Sequence, residues 1–189
     1  MRKIPTIFER DWNGDRSRVL DVPHPDCAWV FAGEGRATIK LDGMCAMVRD
    51  NVLYKRRELK QGQTAPPGYD PVGEDAETGK RIGWVPVGDG QDDRYFREAF
   101  ATRKTWLDGT YELVGPKVQG GVEGQLFSSG THHLYAHGNL RPQSNPPRTF
   151  NELREWLRGR DIEGIVFHHP DGRMGKIKLR DFGLIRGKP

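Results

Sequence analysis

The sequence predicts an α+β domain built on antiparallel sheet. Three observations predict it: short strand-like runs outnumber helical ones, tight turns such as Asp50-Asn51 and Pro170-Asp171-Gly172 join them, and βαβ repeats are lacking. A length of 189 residues leads to the expectation of one compact domain over 1–189, with a single core.

The elements follow in order. Gly35 to Leu41 reads as a strand, and Met44 to Arg49 and Val52 to Lys55 as a hairpin joined at Asp50-Asn51, two residues that tolerate positive φ. Lys40 thus stands at a strand end, just ahead of a hairpin. Residues 60–80 hold Gly62, Pro66, Pro67, Gly68, Pro71, Gly73 and Gly79 with little apolar content, and read as a long surface loop. Trp84 to Val87 reads as a short strand. From Asp92 to about Arg103, Tyr95, Phe96, Ala99 and Phe100 keep helical spacing.

Thr110 to Val114 reads as a strand, Gly120-Gly121 as a turn and His133 to Ala136 as a strand. Thr149 and Glu152 have the spacing of a capping box, and Phe150, Leu153, Trp156 and Leu157 then form one apolar stripe of a helix ending near Gly159. The last stretch is a predicted hairpin: Glu163 to His168, the Pro170-Asp171-Gly172 turn, then Lys176 to Phe182.

Composition bounds the function. Charged residues make up 30% and hydrophobic ones 35%, which suffices for a folded core. A net charge of +4 and a pI near 9.1 favour an anionic partner such as nucleic acid. Cys27 and Cys45 form no Cys-x-x-Cys pair, which argues against a disulfide scaffold and a structural zinc site and for a reducing compartment. No apolar run approaches the roughly 20 residues that cross a bilayer, so a soluble, cytoplasmic monomer is expected. No fixed-period repeat is found, which argues against a solenoid or propeller. His132-His133 and His168-His169 are adjacent pairs whose members face opposite ways on a strand, so neither pair is expected to chelate a metal.

Lys40-Leu41-Asp42-Gly43 alone proves little, since a lysine before a turn is usually a solvated surface residue. Its companions change the reading. Tyr111-Glu112-Leu113-Val114-Gly115, Glu163-Gly164-Ile165-Val166-Phe167 and Lys176-Ile177-Lys178-Leu179 follow in that order, each on a predicted strand.

This order resembles the covalent nucleotidyltransferase superfamily of DNA ligases, RNA ligases and mRNA-capping enzymes, over about residues 35–183. The resemblance implies an antiparallel-sheet adenylation domain of the ATP-grasp-like DNA/RNA ligase type. It implies Lys40 as the nucleophile that takes AMP from ATP, passes it to a 5′-phosphate and lets a 3′-hydroxyl displace it. ATP and Mg²⁺ (or Mn²⁺) are the implied cofactors, and RNA with 5′-phosphate and 3′-hydroxyl ends the implied partner.

The physical logic holds apart from the family. An amine attacks phosphorus only when unprotonated, and an ordinary lysine near neutral pH is almost wholly ammonium. Lys176, Lys178, Arg56 and Arg57, with a bound Mg²⁺, can supply the positive field that favours the neutral amine and offsets charge on the leaving pyrophosphate.

By the resemblance, Glu163 binds metal or orients the lysine, and Glu112 meets the ribose or a metal-bound water. Ile39, Asp42 and Gly43 border the nucleotide. Tyr111 stacks on adenine with Val166 on the other face, or else packs in the core. Lys176 and Lys178, two apart on a strand, point the same way toward one phosphate. One of Arg56 and Arg57 touches the ribose or the incoming 5′-phosphate, and His137-Gly138-Asn139 lies near the nucleotide.

Two departures matter. Cys45 stands where DNA ligases usually carry Arg and some RNA ligases Asn, which removes the usual ribose contact. The chain also ends six residues after Gly183, so no C-terminal OB-fold domain is expected. The second favours a minimal RNA ligase over a DNA ligase or guanylyltransferase, and Lys-Leu-Asp-Gly-x-Cys with Tyr-Glu-Leu-Val-Gly-Pro resembles a compact RNA-ligase family with members in animals and viruses. The alternatives are a capping-type guanylyltransferase, a DNA nick ligase, an enzyme that passes AMP to a non-nucleic acceptor, and an inactive nucleic-acid-binding module.

Overall fold

The structure is a computed structural model that describes residues 3–75, 78–123, 130–138 and 142–188. In chain order the first elements are β1 (Phe8–Arg10), β2 (Val19–Pro23), α1 (Ala28–Phe31), β3 (Arg36–Lys40), β4 (Met44–Arg49), β5 (Val52–Leu59) and β6 (Asp70–Glu74). Then come β7 (Arg81–Pro86), α2 (Arg94–Phe100), β8 (Gly109–Val114), β9 (His133–Ala136), β10 (Pro142–Gln143), α3 (Phe150–Leu157), β11 (Gly164–His168) and β12 (Met174–Lys178). These strands pair antiparallel, as expected of the α+β class.

The chain forms two compact units. A terminal unit comprises Ile4–Leu41 and Gly138–Pro189, and a central unit Asp42–His137 with Met1–Lys3.

In the terminal unit the sheet order is β10-β3-β11-β12, beside the two-stranded ribbon β1-β2. Strand alternation sends Ala37, Ile165, Phe167 and Ile177 to one face, where they are buried with Ile7, Phe8, Val30 and the α3 residues Leu153 and Leu157. Each fully buried leucine of α3 contributes roughly 1.5–3 kcal/mol of apolar burial. The same alternation turns Thr38, Lys40, Gly164, Val166, Lys176 and Lys178 to the opposite face.

The central unit carries one sheet, ordered β6-β7-β5-β4-β8-β9. Asp50 and Asn51, at φ 53° and 56°, close the β4–β5 hairpin as their residue types predict. Ala46, Val48, Leu53, Tyr111, Leu113 and Leu134 bury one face together with Phe96 and Ala99 of α2. Cys45 and Glu112, directly opposite each other on β4 and β8, share the other face.

Several expectations change. The single core divides into two apolar clusters, because each sheet has its own helix covering one face. The loop expected over 60–80 contains β6, paired with β7 through a register shift between Pro71 and Gly73. A bulged outer strand tolerates the proline and glycine that made this stretch look irregular.

The last predicted strand stops at Lys178, and Leu179–Phe182 form a 3₁₀ turn. Asp181 causes the turn, its carboxylate accepting the Lys178 backbone N–H at 2.9 Å. Thr149 does precede α3, yet its hydroxyl donates to Glu152 at 2.6 Å instead of capping the backbone. β1, β2, α1 and β10 were not expected.

Candidate functional site

The terminal unit gathers three of the motif residues. Lys40 at the end of β3 and Lys178 at the end of β12 both lie opposite Gly164, one on each side of β11. Glu163, just before that glycine, accepts from the Lys40 ammonium at 2.5 Å through Oε2 and from Lys178 through Oε1. All three side chains are largely buried. Burial alone would raise the Glu163 pKa, but the Lys40 and Lys178 charges outweigh it and hold the carboxyl below the ordinary range. Burial, followed by the Lys40 charge, pushes Lys178 below the ordinary lysine range.

Gly164 is bare for a steric reason. A Cβ there would stand 2.1 Å from the Ile177 carbonyl oxygen, which would drive β11 and β12 apart. One step along, Val166 lies opposite Thr38 on one side and Lys176 on the other. Three lysines therefore share one face of the sheet. Ile39 pairs with Ile165, so its side chain turns to the apolar face, away from Lys40. Any nucleotide contact by Ile39 falls to its backbone.

The central unit gathers a second group. Glu112 accepts the Gly43 backbone N–H at 3.1 Å through Oε1, and Oε2 lies 2.8 Å from Nε2 of His137. The other ring nitrogen of His137 lies 3.0 Å from the Thr110 hydroxyl. The Asp42 backbone N–H donates to Glu123 at 3.0 Å. Gly43, like Gly164, is enforced by close approach: a Cβ there would meet the Leu113 carbonyl oxygen at 2.3 Å.

Tyr111 is adjacent to Glu112 and so faces the other way. Its ring lies in the core edge-on to Trp106 and its hydroxyl donates to the Leu107 carbonyl at 2.6 Å. Burial raises its phenol pKa. Of the two readings of this ring, core packing describes its position.

The arginines also separate. Lys55 pairs with Ala46 on the apolar face, so Arg56 points to the face of Cys45 and Glu112, and Arg57 to the face of Lys55. Arg56 pairs with Glu58 at 3.1 Å, while its Nε is buried with no hydrogen-bond partner among the described residues.

The Lys40-Leu41-Asp42-Gly43 motif itself divides, Lys40 and Leu41 in the terminal unit and Asp42 and Gly43 in the central one. Thr110 and Glu123 escaped the sequence reading. Thr110 was legible by alternation with Glu112, two residues on; Glu123 carried no such signal. Asn139 lies outside the described residues.

The two carboxylates expected to bind Mg²⁺ fit direct coordination poorly. Both oxygens of Glu163 already accept from ammonium groups that would repel a divalent ion. Those of Glu112 face Gly43 and His137.

Comparison with known proteins agrees with the class that the motifs resemble, polynucleotide ligases of the nucleotidyltransferase type. The family model described as RNA ligase 1 matches residues 90–188, a stretch that includes Glu112, Glu163, Lys176 and Lys178 and leaves out Lys40. The chain belongs to the RNA ligase 1 family. It is 34% identical over 82 residues to RNA ligase 1 of Mus musculus, which is 41% of this chain and 25% of the mouse protein. It is 35% identical over 83 residues to RNA ligase 1 of Danio rerio, again 41% and 25%. The matches thus span about a quarter of the length of these curated relatives.

Proposed function

We propose that the chain is an ATP-dependent RNA ligase of the adenylation-domain fold that works through a covalent AMP on Lys40. The observation that carries this reading is the Lys40–Glu163–Lys178 cluster beside Lys176, two ammonium groups held by one buried carboxylate. Nζ of Lys40, once deprotonated, attacks the α-phosphorus of ATP; a P–N bond forms and pyrophosphate leaves. An RNA 5′-phosphate oxygen then attacks the same phosphorus, and the P–N bond breaks to return the amine. Finally the 3′-hydroxyl attacks the 5′-phosphate and AMP departs.

Glu163 positions the nucleophile and keeps two cations side by side. Lys176 and Lys178 neutralise charge on the phosphates, and the reaction needs little more than position and charge. Mg²⁺ arriving with the ATP phosphates would add charge neutralisation. Arg56 is the arginine assigned to the nucleotide, because its buried Nε has no hydrogen-bond partner among the described residues and it shares a face with Glu112. RNA as acceptor is supported by the name of the relatives.

Incubation with α-labelled ATP and Mg²⁺, then a denaturing gel, tests the reading. Label that stays on the wild-type chain and vanishes in Lys40→Ala is the expected result. Label from GTP alone would favour a guanylyltransferase instead, label without joined strands would favour AMP transfer to another acceptor, and RNA binding without label would leave a binding module.

A further inference from the structure

The spacing of cysteines and adjacent histidines gave no metal motif, yet the central sheet assembles one from three strands. The sulfur of Cys45, a carboxylate oxygen of Glu112 and a ring nitrogen of His137 all lie within 4.8 Å of one another. Cys45 and Glu112 are directly opposed across β4 and β8, and His137 follows β9, the next strand over.

We propose that Cys45, Glu112 and His137 form a site for a borderline-soft divalent ion, Zn²⁺ above all. The donor set decides the metal class: a thiolate and an imidazole favour zinc over magnesium, which takes oxygen. Ligand atoms around tetrahedral zinc stand roughly 3.2–3.7 Å apart, given bonds of about 2.0–2.3 Å. Nε2 and Oε2, now 2.8 Å apart, therefore have to spread slightly on binding.

The surroundings already orient the ligands. His137 Nδ1 lies 3.0 Å from the Thr110 hydroxyl, which fixes the ring so that Nε2 faces the other donors. The Gly43 N–H holds Oε1 of Glu112 and leaves Oε2 toward His137. Such outer partners commonly orient the ligands of metal sites. On binding, the Cys45 thiol releases its proton, and the His137 proton moves to Nδ1, where it donates to Thr110. Three protein ligands leave a fourth position open to water or another small donor.

This site differs from the Glu163 cluster in one respect that matters. Glu163 is flanked by two ammonium groups, whereas the partner of Glu112 is an imidazole that itself ligates metal.

The test uses Co²⁺ as a visible stand-in for Zn²⁺ on the full chain stripped by chelator, with neither ATP nor RNA present. Its outcome is thus separate from that of the labelling experiment. Saturation at a single equivalent is expected, with a thiolate-to-cobalt charge-transfer band, intense tetrahedral d–d bands and displacement by Zn²⁺. Cys45→Ser should lose the charge-transfer band, His137→Gln should bind at least about 100-fold more weakly, and Thr110→Val about tenfold more weakly. His137 stands just past a strand end with 20% of its side chain exposed, so His137→Gln keeps the test valid should Cys45→Ser fold poorly. Co²⁺ binding without the charge-transfer band, or with unchanged affinity in His137→Gln, would overturn the proposal, as would no binding by the wild type.

Discussion

The two units solve the same problem differently. Each turns one sheet face inward to an apolar core and uses the other for polar groups, each with a glycine where backbones approach closely. In the terminal unit that face holds lysines tied by one carboxylate; in the central unit it holds a carboxylate, an imidazole and a thiol. The first arrangement suits a polyanion, the second a small ligand or a metal. Charge, not fold, separates them.

The comparison is sharpest at Lys40. Lys40→Ala is expected to abolish adenylate formation below detection, whereas Cys45→Ser, in the other unit, should leave label on Lys40; equal loss in both would erase the distinction. Glu163→Gln comes next. It leaves two neighbouring buried cations without their counter-charge, and a loss of roughly 3 kcal/mol in urea unfolding is expected. Unchanged stability would mean the cluster is solvated.

Gly164→Ala and Gly43→Ala should each cost about 1–3 kcal/mol through overpacking. The heavier loss is expected at Gly164, where the clash is with the neighbouring strand's backbone at 2.1 Å against 2.3 Å; thermal melts measure it. Arg56→Ala should weaken ATP-dependent labelling about tenfold, while Arg57→Ala changes it little.

The smallest effect is in pH. The Glu163 pKa is lowered on folding, so its contribution is fully present above the unfolded carboxylate value and fades as pH falls through the folded one. Wild type should therefore lose stability below about pH 4.5 more steeply than Glu163→Gln, as acid melts would record.

Much of this was legible in the sequence. The Asp50-Asn51 hairpin, the α3 stripe and the strands carrying Lys40, Glu112 and Lys178 each announce themselves by local chemistry, and the order of four motifs gave the family. Other features were hidden for physical reasons. Whether Arg56 or Arg57 faces Glu112 depends on the pairing of Ala46 with Lys55, a non-local register. Tyr111 is aromatic whether it meets a base or Trp106. The pairing of Glu112 with His137 links residues 25 apart, and β6 is masked by the proline and glycine of its bulge.

That bulge has a consequence for the company the molecule keeps. β6 is the outermost strand of its sheet, and an exposed strand margin is an invitation for another chain to add on. Pro71 has no amide hydrogen to offer, and the slipped register beside it breaks the row of remaining donors and acceptors. The margin thereby discourages the cross-molecule pairing from which fibrils grow.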